Sequence, residues 1–220
     1  VEEIKKLPGV ADAQGDYFKD FLAKIGDSEQ NLRVMSYSDT FNTPEVVSGR
    51  LPEKVDECLL DSNVMYMGAY HEGDVITLQE ADAEDVLGVT EFTIVGFAKH
   101  PYFISLARGS SSVGDGSLNG LVLVRPEAFV QDYYTDILVR MEGARELICY
   151  SDAFKDLSGS SVKVLEGVQS RLCQDRYNEV VGEANEKLDE ATKAEYEGRL
   201  DEVPGIFALM DPMPGAIDAV

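Results

Sequence analysis

The stretch EFTIVGFAKHPYF, residues 91–103, restricts the possible folds more than any other part of the chain. Its β-branched and aromatic residues suit a pleated, buried surface and make a poor helix. Gly96 interrupts the run and marks a bulge or a point where another backbone comes close. A second apolar run, LNGLVLV, residues 118–124, follows a segment rich in Gly and Ser. Two such strands need a sheet with buried surface, and 220 residues are enough for a substantial core, in one domain or two small ones.

The remaining punctuation gives the order of elements. Val1, Ile4 and Leu7 have helical spacing, ended by Pro8 and Gly9, and VADAQGDYFKDFLAKI (10–25) reads as a strand. GDSEQ is a turn, and NLRVMSYS (31–38) returns with Leu32, Val34 and Ser36 on one face. ECLLD (57–61) is a short apolar strand, NVMYMGAY (63–70) one or two helical turns, and HEGDVITL (71–78) a turn and a strand. RPEAFVQDYY (125–134) begins with Pro126 at a favourable first helical position. TDILVRMEG (135–143) is a strand, ARELICYSDAFKDLS (144–158) a helix with Leu147, Ile148 and Phe154 inward, and SSVKVLEG (160–167) a strand again.

These pieces predict an α+β fold: a split βαβ-type layer carrying an inserted mostly-β subdomain, with a C-terminal coiled-coil-like helix. The layer takes residues 1–50 and 135–169, the insertion 51–134, the extended helix 170–200 and an irregular tail 201–220. That helix is rich in Glu, Ala and Lys, but its apolar stripe of Leu172, Val180, Leu188 and Leu200 is thin and contains Gly182. It is expected to project into solvent or to pair weakly, leaving a monomer or a weak dimer. Pro204, Pro212 and Pro214 prevent a continuous helix in the tail.

A formal charge of -22 and a sequence pI near 4.3 set up a field that repels phosphate backbones and anionic lipid heads, so nucleic acid is not expected as a partner. Neither GDSEQN nor EADAEDVLG has the spaced oxygen ligands of a calcium loop. Cys58, Cys149 and Cys173 are too few and too far apart for a disulfide framework or a CxxC site, and could form one bridge at most. With His71 and His100 the only histidines, no metal site is expected. There is no run of roughly 18 to 20 apolar residues and no signal-peptide pattern. A chain starting at Val1 reads as a fragment of something longer.

The Gly/Ser segment fails each catalytic template. Gly109 and Gly114 match half of a P-loop, but Asp115 occupies the place of the lysine and would oppose phosphate. Gly114, Gly116 and Gly120 are spaced one residue too widely for a dinucleotide fingerprint, and a strand follows instead of a helix. Val113 stands where a nucleophile elbow around Ser111 needs glycine, and His100 near Ser105 ends a strand. No catalytic residue, cofactor or metal ligand is expected, and the chain is read as non-enzymatic.

The ordered pieces VEEIKKLPGVADA, GRLPEKVDECLLDSN, GDVITL, FTIVGFAKHPYFISLARGSSSVGDGSLNGLVLVRPEAF and YYTDILVRMEGA, with the Glu/Ala/Lys-rich helix after them, resemble the extracytoplasmic domain of an FtsX-like ABC transporter permease, akin to the MacB periplasmic core domain. The resemblance covers about residues 1 to 200 and implies an α+β subdomain carrying a mostly-β insertion. It also implies a place on the outer side of a bacterial cell membrane, between transmembrane helices of the same permease. A cytoplasmic ATP-binding subunit would act on the domain indirectly, and an exported substrate or outer protein would be its partner. Arg108, Gly109, Ser110, Ser111, Ser112 and Asp115 are the expected partner-contact loop. The alternative is a secreted peptide- or cation-binding module that dimerises through its helix.

Overall fold

The computed structural model describes residues 1–64, 70–79, 83–105 and 107–196. The expected tail 201–220, most of the helical turn in 63–70 and the last residues of the 170–200 helix lie outside them. The chain divides into two units, Val1–Ala144 and Arg145–Val220. The fold is α+β, with a sheet-rich first unit and one long helix in the second.

The first unit opens with a short helix α1 (Glu2–Lys5) and strand β1 (Val10–Asp16). Then come β2 (Phe18–Ile25), β3 (Ser28–Ser36), β4 (Glu45–Gly49), β5 (Glu57–Asp61) and β6 (Val75–Leu78). A helical turn α2 (Ala83–Val86), β7 (Glu91–Lys99), β8 (Gly120–Val124), a 3-10 turn at Pro126–Ala128 and β9 (Asp136–Met141) complete it.

Six strands close into a ring. β2 pairs antiparallel with β3, β3 parallel with β8, β8 antiparallel with β5 and β5 parallel with β7. β6 closes it by pairing antiparallel with both β7 and β2, while β4 adds to the later half of β7. Alternation along the strands fills the ring: Phe21, Ala23 and Ile25 from β2, Leu32 and Val34 from β3, Cys58 and Leu60 from β5, Ile76 and Leu78 from β6, Phe92 and Ile94 from β7, Val122 and Val124 from β8. A second cluster, with Met35, Leu59, Ala98, Leu118, Leu121 and Leu123, covers the outer faces of β5 and β8. Every residue of those two strands is therefore buried, which accounts for their unbroken apolar sequences.

Gly96 is the predicted bulge. Cys58 pairs with Ile94 but Leu59 pairs with Gly96, so β7 has one residue more than β5 at Val95. The extra residue reverses the alternation: Phe92 and Ile94 face the ring interior before it, Phe97 after it. Glycine is required because a Cβ there would lie 2.5 Å from the Ser48 carbonyl oxygen and 2.9 Å from Leu59 Cδ2.

Three expectations change. The strand predicted over 10–25 is two strands, broken at Tyr17, where the chain passes from one sheet to another: β1 pairs only with β9, in a separate two-stranded sheet. Strand β4 has no counterpart in the sequence reading, and β2, β3 and β4 pair with strands of the 51–134 segment. The strand expected at 160–167 is helical: α3 runs from Asp152 to Tyr196 without interruption. The Val162–Lys163–Val164 alternation is too short to outweigh a helical spacing of half-buried Phe154, Leu157, Val164, Val168 and Leu172. Ser151 caps the helix, its Oγ accepting the Phe154 N–H at 3.2 Å.

Candidate functional site

The 101–119 segment joins two strands that are not neighbours, since β5 lies between β7 and β8. The segment therefore has to cross the C-terminal end of β5, where Asp61 is buried. Arg108 meets it there: Nε donates to Asp61 Oδ2 at 2.5 Å and Nη2 to Oδ1 at 2.9 Å, with both side chains almost fully buried. A bidentate pair holds a guanidinium in one plane, and the remaining nitrogen, Nη1, donates to the carbonyls of Ser105 and Phe103. Arg108, one residue of the expected partner-contact loop, anchors that loop to the strand it crosses. Asp61 was missed as its counterpart, although a charge closing the apolar strand ECLLD and a lone arginine in a long loop were both visible in the sequence.

The other expected loop residues form a hairpin of their own. Ser110 bridges Ser117, the Gly109 carbonyl accepts the Leu118 N–H at 3.2 Å, and Ser111 N–H donates to the Gly116 carbonyl at 3.0 Å. Asp115 Oδ1 accepts the Ser117 N–H at 2.9 Å, an Asx-type contact that closes the tip. Gly109, Gly114 and Gly116 have φ of 103°, 61° and 86°, which explains the run of glycines better than any phosphate does. Buried Asn31 fastens the hairpin to β3, its Nδ2 donating to the Val113 carbonyl at 2.6 Å and the Ser117 carbonyl at 2.8 Å. Ser110, Ser112 and Asp115 remain exposed at the surface.

Beside this loop, where β7 ends, lies a cleft of about 610 Å³. Val47 and Glu45 line one side, Phe103 and Ile104 another, and Lys99, His100 and Arg108 supply nitrogen. His100 is buried, its ring 6.1 Å from that of Phe103, and its Nδ1 has no hydrogen-bond partner. Burial holds its pKa below the ordinary histidine value, opposed by the charge of Asp61. A neutral ring is the result at pH 7.

Neither Ser105 nor Ser111 has a hydrogen bond to His100 among the described residues. No group of three His, Cys, Asp or Glu converges on a metal position among the described residues. The three cysteines are free thiols, Cys58 buried and Cys149 and Cys173 exposed. No helix among the described residues is long and apolar enough to cross a membrane.

No family model matches the chain, and no curated protein matches it in sequence. Among solved structures, the chain is similar to the extracellular domain of the noncanonic ABC-type transporter YknZ from Gram-positive bacteria. The two are 13% identical, with a TM-score of 0.42 over 66% of this chain and 72% of the other. It is also similar to the periplasmic region of MacB from Actinobacillus actinomycetemcomitans, at 15% identity and a TM-score of 0.40 over 76% of this chain and 72% of that one.

Proposed function

We propose that the chain is the extracytoplasmic domain of an FtsX-like ABC transporter permease, non-catalytic, coupling ATP-driven movement of transmembrane helices to export or to an outer protein partner. The observation that carries this reading is the order of the sequence segments that resemble such domains, from VEEIKKLPGVADA to the Glu/Ala/Lys-rich helix. The pairing of β1 with β9 agrees with it, because it brings the two ends of the strand-rich body, near Asp16 and Asp136, into register. A body whose first and last strands are paired can be carried as a unit by whatever moves its base. In this reading α1, β1 and β9 form the base and residues 17–135 the carried body.

The partners are then the permease's own membrane helices, an ATP-binding subunit acting through them, and an exported substrate or outer protein. The tip of the 109–118 hairpin, with Ser110, Ser112 and Asp115 exposed and Arg108 and Asn31 as anchors, is the proposed contact loop. Sequencing the intact gene tests the assignment. Membrane spans on either side and a neighbouring ATPase gene are expected; a complete reading frame of these residues alone would overturn it. Site-specific photocrosslinking from position 112 in whole cells tests the loop, with a crosslinked partner protein as the expected result.

A further inference from the structure

The cleft beside the loop holds groups that the rest of the fold leaves unpaired. Arg108 is committed to Asp61 and to two carbonyls. The ammonium of Lys99, exposed at the end of β7, has no ion pair or hydrogen bond among the described residues. Glu45 stands directly across from it in the β4–β7 pairing, and the two are not ion-paired. His100 Nδ1 is buried without a partner, and no hydrogen bond to Nε2 is present among the described residues, although the residue lines the cleft. A buried N–H without an acceptor is rarer and costlier than a bare lone pair, which assigns the proton of the neutral ring to Nε2, as a donor toward the cleft. Ile104 is 94% exposed on the rim, with Val47 opposite at 48%.

We propose that this cleft binds an apolar molecule ending in a carboxylate, with the carboxylate between Lys99 and His100 and the apolar part against Val47, Phe103 and Ile104. Two donors beside an apolar wall are the arrangement expected for such a ligand. A volume of about 610 Å³ suits one of a few residues' size. A peptide chain end and a free carboxylic acid both present this group. Asp61 and Glu45 are the acids nearby; Asp61 is neutralised by Arg108, and Glu45 opposes the ligand's charge. The site does not depend on the permease reading, because it rests on the contents of the cleft alone.

The test is titration of the ¹⁵N-labelled 220-residue chain with N-acetyl-Ala-Val-Leu as the free acid, with its carboxamide, and with hexanoate. Both acids are expected to shift the backbone resonances of Thr43 to Val47 and Lys99 to Ile104, and the carboxamide to bind at least about tenfold more weakly. A free-acid peptide that binds tighter than hexanoate assigns the site to chain ends; equal or tighter binding of hexanoate assigns it to free acids. Lys99→Ala, at an exposed position, weakens binding roughly tenfold, and Glu45→Gln strengthens it. The proposal is overturned if neither acid shifts these resonances, if the carboxamide binds as well as the acid, or if Lys99→Ala binds unchanged.

Discussion

At the scale of single residues, two ion pairs, one buried and one with an exposed arginine, have different consequences. Asp61 and Arg108 are nearly inaccessible, so removing one partner leaves a charge stranded. Asp61→Asn or Arg108→Ala is expected to cost about 3 kcal/mol in urea unfolding. The double replacement Asp61→Leu with Arg108→Met falls closer to the native value than either single change. Glu57 depends on pH. The Arg50 guanidinium grips it in two bonds of 2.7 and 2.8 Å and the Glu53 and Lys54 N–H groups add to this, lowering its pKa from 4.5 to about 2 against the opposing effect of burial. A carboxyl with a lowered folded pKa contributes stability that is present above pH 4.5 and is lost as the pH falls toward 2. Urea midpoints measured down that range should decline, and Glu57→Gln should flatten this part of the curve. Gly96→Ala, which forces a Cβ onto the Ser48 carbonyl, should destabilise by roughly 2 to 4 kcal/mol in the same assay.

At the scale of elements, α3 and β7 differ in what stabilises them. β7 is held on both edges and is buried through most of its length, so its sequence had to be apolar. α3 has 45 residues, most of them exposed, and contains Gly159, Gly167 and Gly182, each with open space where a Cβ would go. Replacing all three with alanine should add about 1 kcal/mol per site to helix stability. Circular dichroism should show a higher melting temperature for the helical signal, and an unchanged melt would mean that the helix is limited elsewhere. The helix was legible as a composition but not in its extent. Val162 and Val164 suggested a strand, and only the absence of a sheet neighbour for them, together with the Ser151 cap, resolves the choice. The bulge at Gly96 was readable because glycine inside an otherwise β-branched run has few other uses. Strand β4 was not, since EVVSG is half exposed and has no strong pattern.

At the scale of the whole molecule, the charge of -22 opposes compaction. Added salt screens that repulsion, so the melting temperature should rise between about 10 mM and about 300 mM sodium chloride. A flat response would mean that the acidic groups are neutralised by local pairs. The sequence by itself determined the strand-rich body and the long polar helix, because each follows from local composition: β-branched runs in the one, helix formers with a thin apolar stripe in the other. Tertiary structure alone decided the closure of six strands into a ring, the break at Tyr17 between two sheets, and the roles of Arg108 and His100. These depend on residues far apart in the chain, such as Asp61 beneath the loop that carries Arg108, and no local pattern records which distant strand a loop will cross.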